Sequence, residues 1–162
     1  ASMLPIATSG NRKFVGSARC GECHTKALSK WRDTPHANAF ESLSTGRDGQ
    51  EHNWVPRTFD AECLSCHVTG WEPQKVLRFK SGYVDRQASS HLLGNGCENC
   101  HGPGSRHVEL VEAGEVEPSL AEVRVTLEQA RHKICISCHD LDNSPAFDFD
   151  TYWPQITHPG RD

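Results

Sequence analysis

Residues Gly96 to His107 read G-C-E-N-C-H-G-P-G-S-R-H, and the rest of the chain is organised around this stretch. Cys97, Cys100 and His101 form a C-x-x-C-H unit, the pattern of covalent c-type haem attachment. Both thiols would add to the haem vinyl groups, and the imidazole of His101 would bind iron at one axial position. The G-P-G that follows favours a sharp turn, because glycine accepts positive φ and proline fixes φ at about −65°. The turn is followed by a second imidazole, that of His107. This imidazole is better suited to bind the iron of a neighbouring haem than the iron bound by His101.

All eight cysteines of the chain belong to such units, and a histidine directly follows the second cysteine of each. The pattern therefore predicts four covalently bound haem c groups. The attachment cysteines are Cys20, Cys23, Cys63, Cys66, Cys97, Cys100, Cys135 and Cys138, and the proximal iron ligands are His24, His67, His101 and His139.

Three other interpretations of the cysteines explain less. A disulfide framework requires neither the two-residue spacing nor the histidines. Two Cys₄ zinc sites would account for the cysteine pairs but would leave four trailing histidines to chance. A thioredoxin-like redox motif would occur once, within a βαβ pattern, and not four times.

The composition agrees with a core that is built in part from cofactor. The apolar fraction is 36% in 162 residues and the mean hydropathy is −0.61, which is lean for a core of side chains alone. We expect a mostly α fold with little regular β and long loops, a multihaem cytochrome fold around four stacked c-type haems. Residues 1–11 read as a disordered leader or cloning remnant, and residues 12–162 as a single tetrahaem cytochrome c domain.

The net charge is −4, and the sequence has no basic stripe of the kind that binds nucleic acid. No apolar run is long enough to span a membrane. Covalent haem attachment takes place outside the bacterial cytoplasm, so we expect a periplasmic or extracytoplasmic protein. Four ferric haems with ionised propionates would bring the net charge to about −8, which favours a redox partner with a basic face.

The second axial ligands are expected to be histidines. Met3, the only methionine, lies in the leader, so histidine–methionine ligation is disfavoured. Six histidines remain outside the motifs. His36, His107 and His158 are the favoured distal ligands and His91 is contested, whereas His52 and His132 are in polar surroundings and are expected to be solvated.

Local patterns predict several elements between the motifs. Apolar periodicity indicates helices after His24 as far as Thr34-Pro35, around Phe40, and after His107 as far as Gly114. Further expectations are a surface loop over 44–57, a small hairpin between 76–79 and 82–84, a helix from Pro118 to about Arg131 with Ser119 and Glu122 as a capping box, and Asp148 or Asp150 as a helix N-cap.

The chain resembles the cytochrome c-554 family of tetrahaem cytochromes over most of residues 12–160. The matching pieces are C-G-E-C-H with W-R-D-T-P-H-A-N-A-F, C-L-S-C-H-V-T-G-W, G-C-E-N-C-H-G-P-G-S-R-H, and C-I-S-C-H-D with F-D-F-D-T-Y-W-P-Q-I-T-H. The resemblance implies closely stacked haem pairs in a mostly helical fold, with electrons passing among the haems. It also implies that His36, His107 and His158 are distal ligands.

The axial ligands of the second haem, that of Cys63 and Cys66, distinguish between two functions. In the nitrifier member of this family that haem keeps an open axial site, whereas the present chain has His91 as an additional candidate ligand. If His91 binds the haem of Cys63 and Cys66, all four irons are saturated. If it does not, that haem could bind nitric oxide or a similar small molecule.

The favoured function is therefore that of a periplasmic carrier which passes single electrons between a donor and an acceptor redox protein. No catalytic residue is expected apart from the haem irons. One alternative is a small-molecule reductase or ligand-binding enzyme at a five-coordinate haem. The other is an electron-transfer domain of a larger, multidomain redox enzyme.

Overall fold

Short helices follow one another along the chain, and every C-x-x-C-H motif lies in or directly beside one of them. A computed structural model describes residues 6–46, 49 and 51–160. The α-helices are α1 (Ser17–Gly21), α2 (Thr25–Arg32), α3 (Ala39–Thr45), α4 (Ala61–His67), α5 (Cys97–His101), α6 (Ser105–Glu112), α7 (Val116–Val123), α8 (Leu127–Gln129) and α9 (Phe149–Ile156). The predicted class, mostly α with little regular β, is confirmed.

The β-structure is one small three-stranded sheet. Its strands are β1 (Ile6–Ala7), β2 (Trp71–Glu72) and β3 (Leu77–Phe79), in the order β1-β3-β2. The central strand β3 pairs antiparallel with β2 and parallel with β1. Of residues 1–11, read from the sequence as a disordered leader, residues 6 and 7 thus form a strand, and residues 1–5, including Met3, lie outside the described residues.

The predicted hairpin was wrong about the partner of β3. The antiparallel partner is β2, and the connection between them is a 3-10 turn at Pro73–Lys75 followed by Val76 in the left-handed region at φ 52°. Residues 82–84 instead pass close beside Gly70: a Cβ on Gly82 would lie 1.8 Å from the Gly70 carbonyl oxygen. This close backbone approach excludes any larger residue at position 82.

The helix expected from Pro118 to about Arg131 is two helices with an extended break. α7 begins at Val116, and the buried Ser119 donates its hydroxyl to the Val116 carbonyl instead of capping. The break falls at Arg124–Thr126, where β-branched residues disfavour the helix and Thr126 caps α8 in a capping box with Gln129.

Other local expectations were confirmed. α2 ends at Arg32, just before Thr34-Pro35, and α6 ends before Gly114, which has φ 78°. Asp148 is the N-cap of α9, and its carboxylate accepts from the Thr151 backbone N–H at 2.9 Å. The described part of the 44–57 loop contains a short 3-10 helix at Glu51–Asn53.

The apolar core formed by side chains is small. It lies where α3 and α4 meet the segments after β3, and its buried members are Phe14, Phe40, Leu43, Leu64, Val68, Tyr83 and Leu92. The polypeptide exposes 10548 Å² of accessible surface, whereas a folded monomer of this mass typically exposes about 8,000 Å². The helices therefore carry more surface than their own packing covers, as expected if porphyrins complete the core.

Candidate haem-binding sites

Each C-x-x-C-H motif is wound into a helical turn. The backbone N–H of His24 donates to the Cys20 carbonyl at 3.0 Å, and that of His139 donates to Cys135 at 2.9 Å. Residues i, i+3 and i+4 share one side of a helical turn, so both thiols and the imidazole can face one porphyrin. We number the candidate haem sites by motif: site 1 (Cys20, Cys23, His24), site 2 (Cys63, Cys66, His67), site 3 (Cys97, Cys100, His101) and site 4 (Cys135, Cys138, His139).

Three motif histidines face a histidine from outside the motifs. The ring centroids are 6.2 Å apart for His24 and His107, 5.9 Å for His101 and His158, and 6.0 Å for His36 and His139. Two imidazoles bound to one metal through nitrogens about 2 Å from it have ring centroids about 6 Å apart. Sites 1, 3 and 4 thus have the spacing of two axial ligands on one iron.

Hydrogen bonds at Nδ1 orient several of these rings. Nδ1 donates to a backbone carbonyl, which can only accept, at 2.6 Å in His67, 2.7 Å in His101, 2.9 Å in His107 and 2.7 Å in His158. The proton therefore resides on Nδ1, and the lone pair of Nε2 is free to bind a metal. The acceptors are the carbonyls of Ala39, Val123, Ser119 and Pro159, respectively.

The surroundings also keep imidazoles neutral, as metal ligation requires. Burial lowers the pKa of His36, His101 and His139, since it disfavours the charged form. In site 4 the ring of Phe147 stacks on His139 with centroids 4.4 Å apart and planes 16° apart. The tautomers, spacing and burial of these histidines therefore fit covalently attached haem.

The histidine of site 2 differs from the other three. Among the ring contacts of the residues that the structure describes, none joins His67 to another histidine. His91 is exposed and lies over the start of α1, where a Cβ on Gly16 would be 3.2 Å from its Cδ2. The structure thus places the ring of this contested ligand against Gly16, and among the described residues no ring contact joins it to His67. His52 and His132 are exposed as well.

Cysteines of different motifs are neighbours. A hydrogen bond between the thiols of Cys20 and Cys97 lowers the pKa of Cys97 to about 6 and raises that of Cys20. The same kind of contact with Cys138 lowers the pKa of Cys66 to about 7. Burial raises the pKa of Cys100 to about 12, with a smaller contribution from nearby Cys135. Sites 1 and 3, sites 3 and 4, and sites 2 and 4 are therefore adjacent.

Within the described residues, no group of three or more His, Cys, Asp or Glu side chains converges as ligands of one metal ion would.

The segment before α5 connects the sites through Asn95. Its backbone N–H donates to the His36 carbonyl at 2.9 Å, and its side-chain amide donates to the Cys66 carbonyl at 2.9 Å. Trp31 in turn donates its indole N–H to the Asn95 carbonyl at 2.8 Å. One asparagine thus ties segments of sites 2 and 4 to the start of site 3.

Glu98, between the two cysteines of site 3, is a residue that sequence reasoning missed. It is only 4% exposed, and its carboxylate accepts three backbone N–H groups, from Val15, Gly16 and Gly104. Burial raises the pKa of Glu98, and these hydrogen bonds oppose the increase. The available signal was a glutamate inside the motif, four residues before Gly102 of the G-P-G.

Comparisons with known proteins agree with this geometry. The family model described as cytochrome c554 and c-prime matches residues 19–102. Cytochrome c-554 of Nitrosomonas europaea is 37% identical over 97 residues, which are 56% of this chain and 39% of that protein. The multiheme cytochrome MtrA of Shewanella baltica is 30% identical over 94 residues, 57% of this chain and 26% of that protein. The chain therefore spans less than half the length of either curated relative.

The fold comparison covers more of the chain. A structure of reduced cytochrome c554 from Nitrosomonas europaea superposes with a TM-score of 0.58 at 23% identity, covering 92% of this chain and 80% of that one. None of the described helices is long and apolar enough to cross a membrane.

Proposed function

Because the chain belongs to the cytochrome c554 and c-prime family, we propose that it is a tetrahaem electron carrier that passes single electrons between redox proteins. It is a multihaem c-type cytochrome of electron transport, with four covalently attached haem c groups, one for each motif. When bound, each haem iron supplies a one-electron ferric–ferrous couple. The observation that carries the proposal is the set of three facing imidazole pairs at 5.9 to 6.2 Å.

Three pairs of histidines would hold the irons and would keep the same ligands in both oxidation states. The pairs are His24 with His107, His101 with His158, and His139 with His36, whose rings are oriented by Nδ1 hydrogen bonds or by packing. A carbonyl that accepts from Nδ1 makes the imidazole a stronger donor to iron, which favours the ferric state and a low potential.

The neighbouring cysteines set the order in which the sites connect. Cys20 contacts Cys97, Cys100 lies near Cys135, and Cys66 contacts Cys138. Since the thioethers lie at the porphyrin edges, electrons would move along sites 1, 3, 4 and 2. Sites 1 and 2 are then the ends of the relay, where donor and acceptor proteins exchange electrons with the chain.

The cellular setting follows from attachment chemistry and charge. Haem attachment outside the cytoplasm implies a periplasmic or extracytoplasmic location, and an oxidised net charge of about −8 favours partners with a basic face. Residues 12–162 would act as one tetrahaem domain. The greater length of both curated relatives leaves room for this domain to serve within a larger redox protein.

The proposal is tested by electron paramagnetic resonance of the fully oxidised protein. Each of sites 1, 3 and 4 is expected to give a low-spin ferric signal, as two axial imidazoles require. High-spin signals from any of these three sites would contradict the proposed pairs.

A second candidate function is the binding or reduction of a small molecule at site 2. The observation that favours it is that His67, unlike the other motif histidines, makes no ring contact with another histidine in the described part of the chain, while His91 lies over Gly16. A five-coordinate haem held by His67 alone could accept a small ligand such as nitric oxide.

Carbon monoxide separates this candidate from a pure electron carrier. We expect the reduced protein to bind one carbon monoxide per chain, with a shift of the Soret band. The variant His91→Ala should bind the same amount, since the ring of His91 lies against Gly16. No binding by the unaltered protein, together with new binding by His91→Ala, would show that His91 is the distal ligand of site 2 and would remove this candidate.

A further inference from the structure

The buried carboxylate of Glu98 joins three separate parts of the backbone. Oε1 accepts from the N–H groups of Val15 at 2.8 Å and Gly104 at 2.7 Å, and Oε2 accepts from Gly16 at 2.8 Å. The fit leaves no free space: a Cβ on Gly104 would lie 3.2 Å from Oε1 and 3.2 Å from a methyl of Val15. With one buried anion and three donors, the carboxylate is well matched to this place.

The three donors precede the two helical segments that form site 1. Val15 and Gly16 lead directly into α1, which carries Cys20 and is followed by His24. Gly104 leads directly into α6, which carries His107. Glu98 therefore holds the starting points of both arms whose imidazoles face each other at 6.2 Å, although its own motif belongs to site 3.

A second contact reinforces the same junction. The hydroxyl of Ser17, the first residue of α1, accepts from the backbone N–H of Cys97 at 3.1 Å. Sites 1 and 3 thus share a polar junction in which the charge of Glu98 is the only one that is buried within the described residues.

We propose that Glu98 is a positioning residue for the first haem: from within the third motif it sets the His24–His107 axial pair and keeps a negative charge beside sites 1 and 3. This inference rests on the proposed ligation of site 1. A fixed anion near a haem favours the ferric state, so the carboxylate also lowers the reduction potential of the haem nearest to it. The geometric and the electrostatic contributions can be separated by two substitutions.

Glu98→Ala removes all three acceptors, whereas Glu98→Gln keeps one oxygen that can accept from Val15 and Gly104 but removes the charge. We expect Glu98→Ala holoprotein to show up to one high-spin ferric haem per chain in addition to the one expected at site 2. Glu98→Gln should remain low-spin at site 1, with one midpoint potential raised in a spectroelectrochemical titration. Glu128→Ala is the control, because it removes an exposed glutamate that lies outside the four motifs, and it should change neither readout.

His107→Ala distinguishes failure of this inference from failure of the proposed function. If His107→Ala gives no high-spin haem beyond that of the unaltered protein, the axial pair of site 1 is wrong. If His107→Ala gives one additional high-spin haem while both Glu98 variants match Glu128→Ala in spectrum and potentials, the role of Glu98 is refuted. Should Glu98→Ala yield no holoprotein, unchanged potentials in Glu98→Gln alone would refute it.

Discussion

The ligand geometry of a single histidine illustrates how the sites are built at the residue scale. His158 follows α9, donates Nδ1–H to the Pro159 carbonyl at 2.7 Å, and faces His101 with ring centroids 5.9 Å apart. Its tautomer is fixed by its own neighbour in sequence, so Nε2 is available wherever the end of α9 places it.

Replacing His158 by alanine should therefore change the spin state at site 3. We expect one additional high-spin ferric haem per chain by electron paramagnetic resonance, because His101 would be the remaining axial imidazole. The matched control His132→Ala removes an exposed imidazole and should leave the spectrum as it was. If His158→Ala keeps every low-spin signal of the unaltered protein, the assignment is contradicted.

At this scale the sequence was informative where chemistry imposes spacing. The four motifs are readable because thioether formation and ligation require two cysteines and a histidine within one helical turn. His36, His107 and His158 could be nominated by their apolar or turn contexts, but which iron each serves depends on three-dimensional placement. The contact of His91 with Gly16, and those of Glu98 with Val15 and Gly16, join segments about 75 to 83 residues apart, and no local pattern reports them.

At the scale of elements, α7 orients ligands of two sites although it contains none. Its Ser119 carbonyl accepts from Nδ1 of His107 in site 1, and its Val123 carbonyl accepts from Nδ1 of His101 in site 3. α7 packs against α6. Ser119 of α7 is buried, and the Glu115 N–H, just before α7, donates to the Leu110 carbonyl of α6 at 2.8 Å.

A proline at the exposed Ala121 should disturb both sites through the backbone of α7. We expect Ala121→Pro to lower the free energy of unfolding by about 3 kcal/mol, because the helix loses a hydrogen bond and gains a steric clash. Displacement of the two carbonyls should raise the midpoint potentials of two haems, since their imidazoles become weaker donors. Denaturant unfolding and a redox titration measure these effects.

The control for this helix is Ala121→Ser, which keeps the backbone hydrogen bond and should leave both potentials unchanged. If Ala121→Pro is destabilised while all four potentials stay as they were, α7 supports the fold but does not tune the haems.

Elements with strong local signals were predictable, and elements defined by distant partners were not. α2 and α9 have clear ends, given by Thr34-Pro35 and by the Asp148 cap. The predicted long helix failed at Arg124–Thr126, where short-range propensity and a second cap outweighed the periodicity. The hairpin failed because Gly82 is placed by its approach to Gly70, and because β3 pairs with a strand on its other side in sequence.

At the scale of the whole molecule, four attachment sites form a chain in the order 1, 3, 4 and 2, which differs from their order in sequence. The accessible surface of the polypeptide is larger than its mass predicts, and its apolar core lies mainly around α3 and α4. The lean apolar composition was visible in the sequence, and it predicted a core shared with porphyrins. The order of the sites was not visible in the sequence, because the thiol contacts of Cys20 with Cys97 and of Cys66 with Cys138 join motifs about 70 to 80 residues apart.

Three haems are expected to have two histidine ligands each, and the haem of site 2 is expected to have one. The decisive measurement is electron paramagnetic resonance of the fully oxidised protein, with spin quantitation against the haem content. We expect three low-spin haems and one high-spin haem per chain. Fewer than three low-spin haems would contradict the axial pairs, and four would contradict the open position at His67.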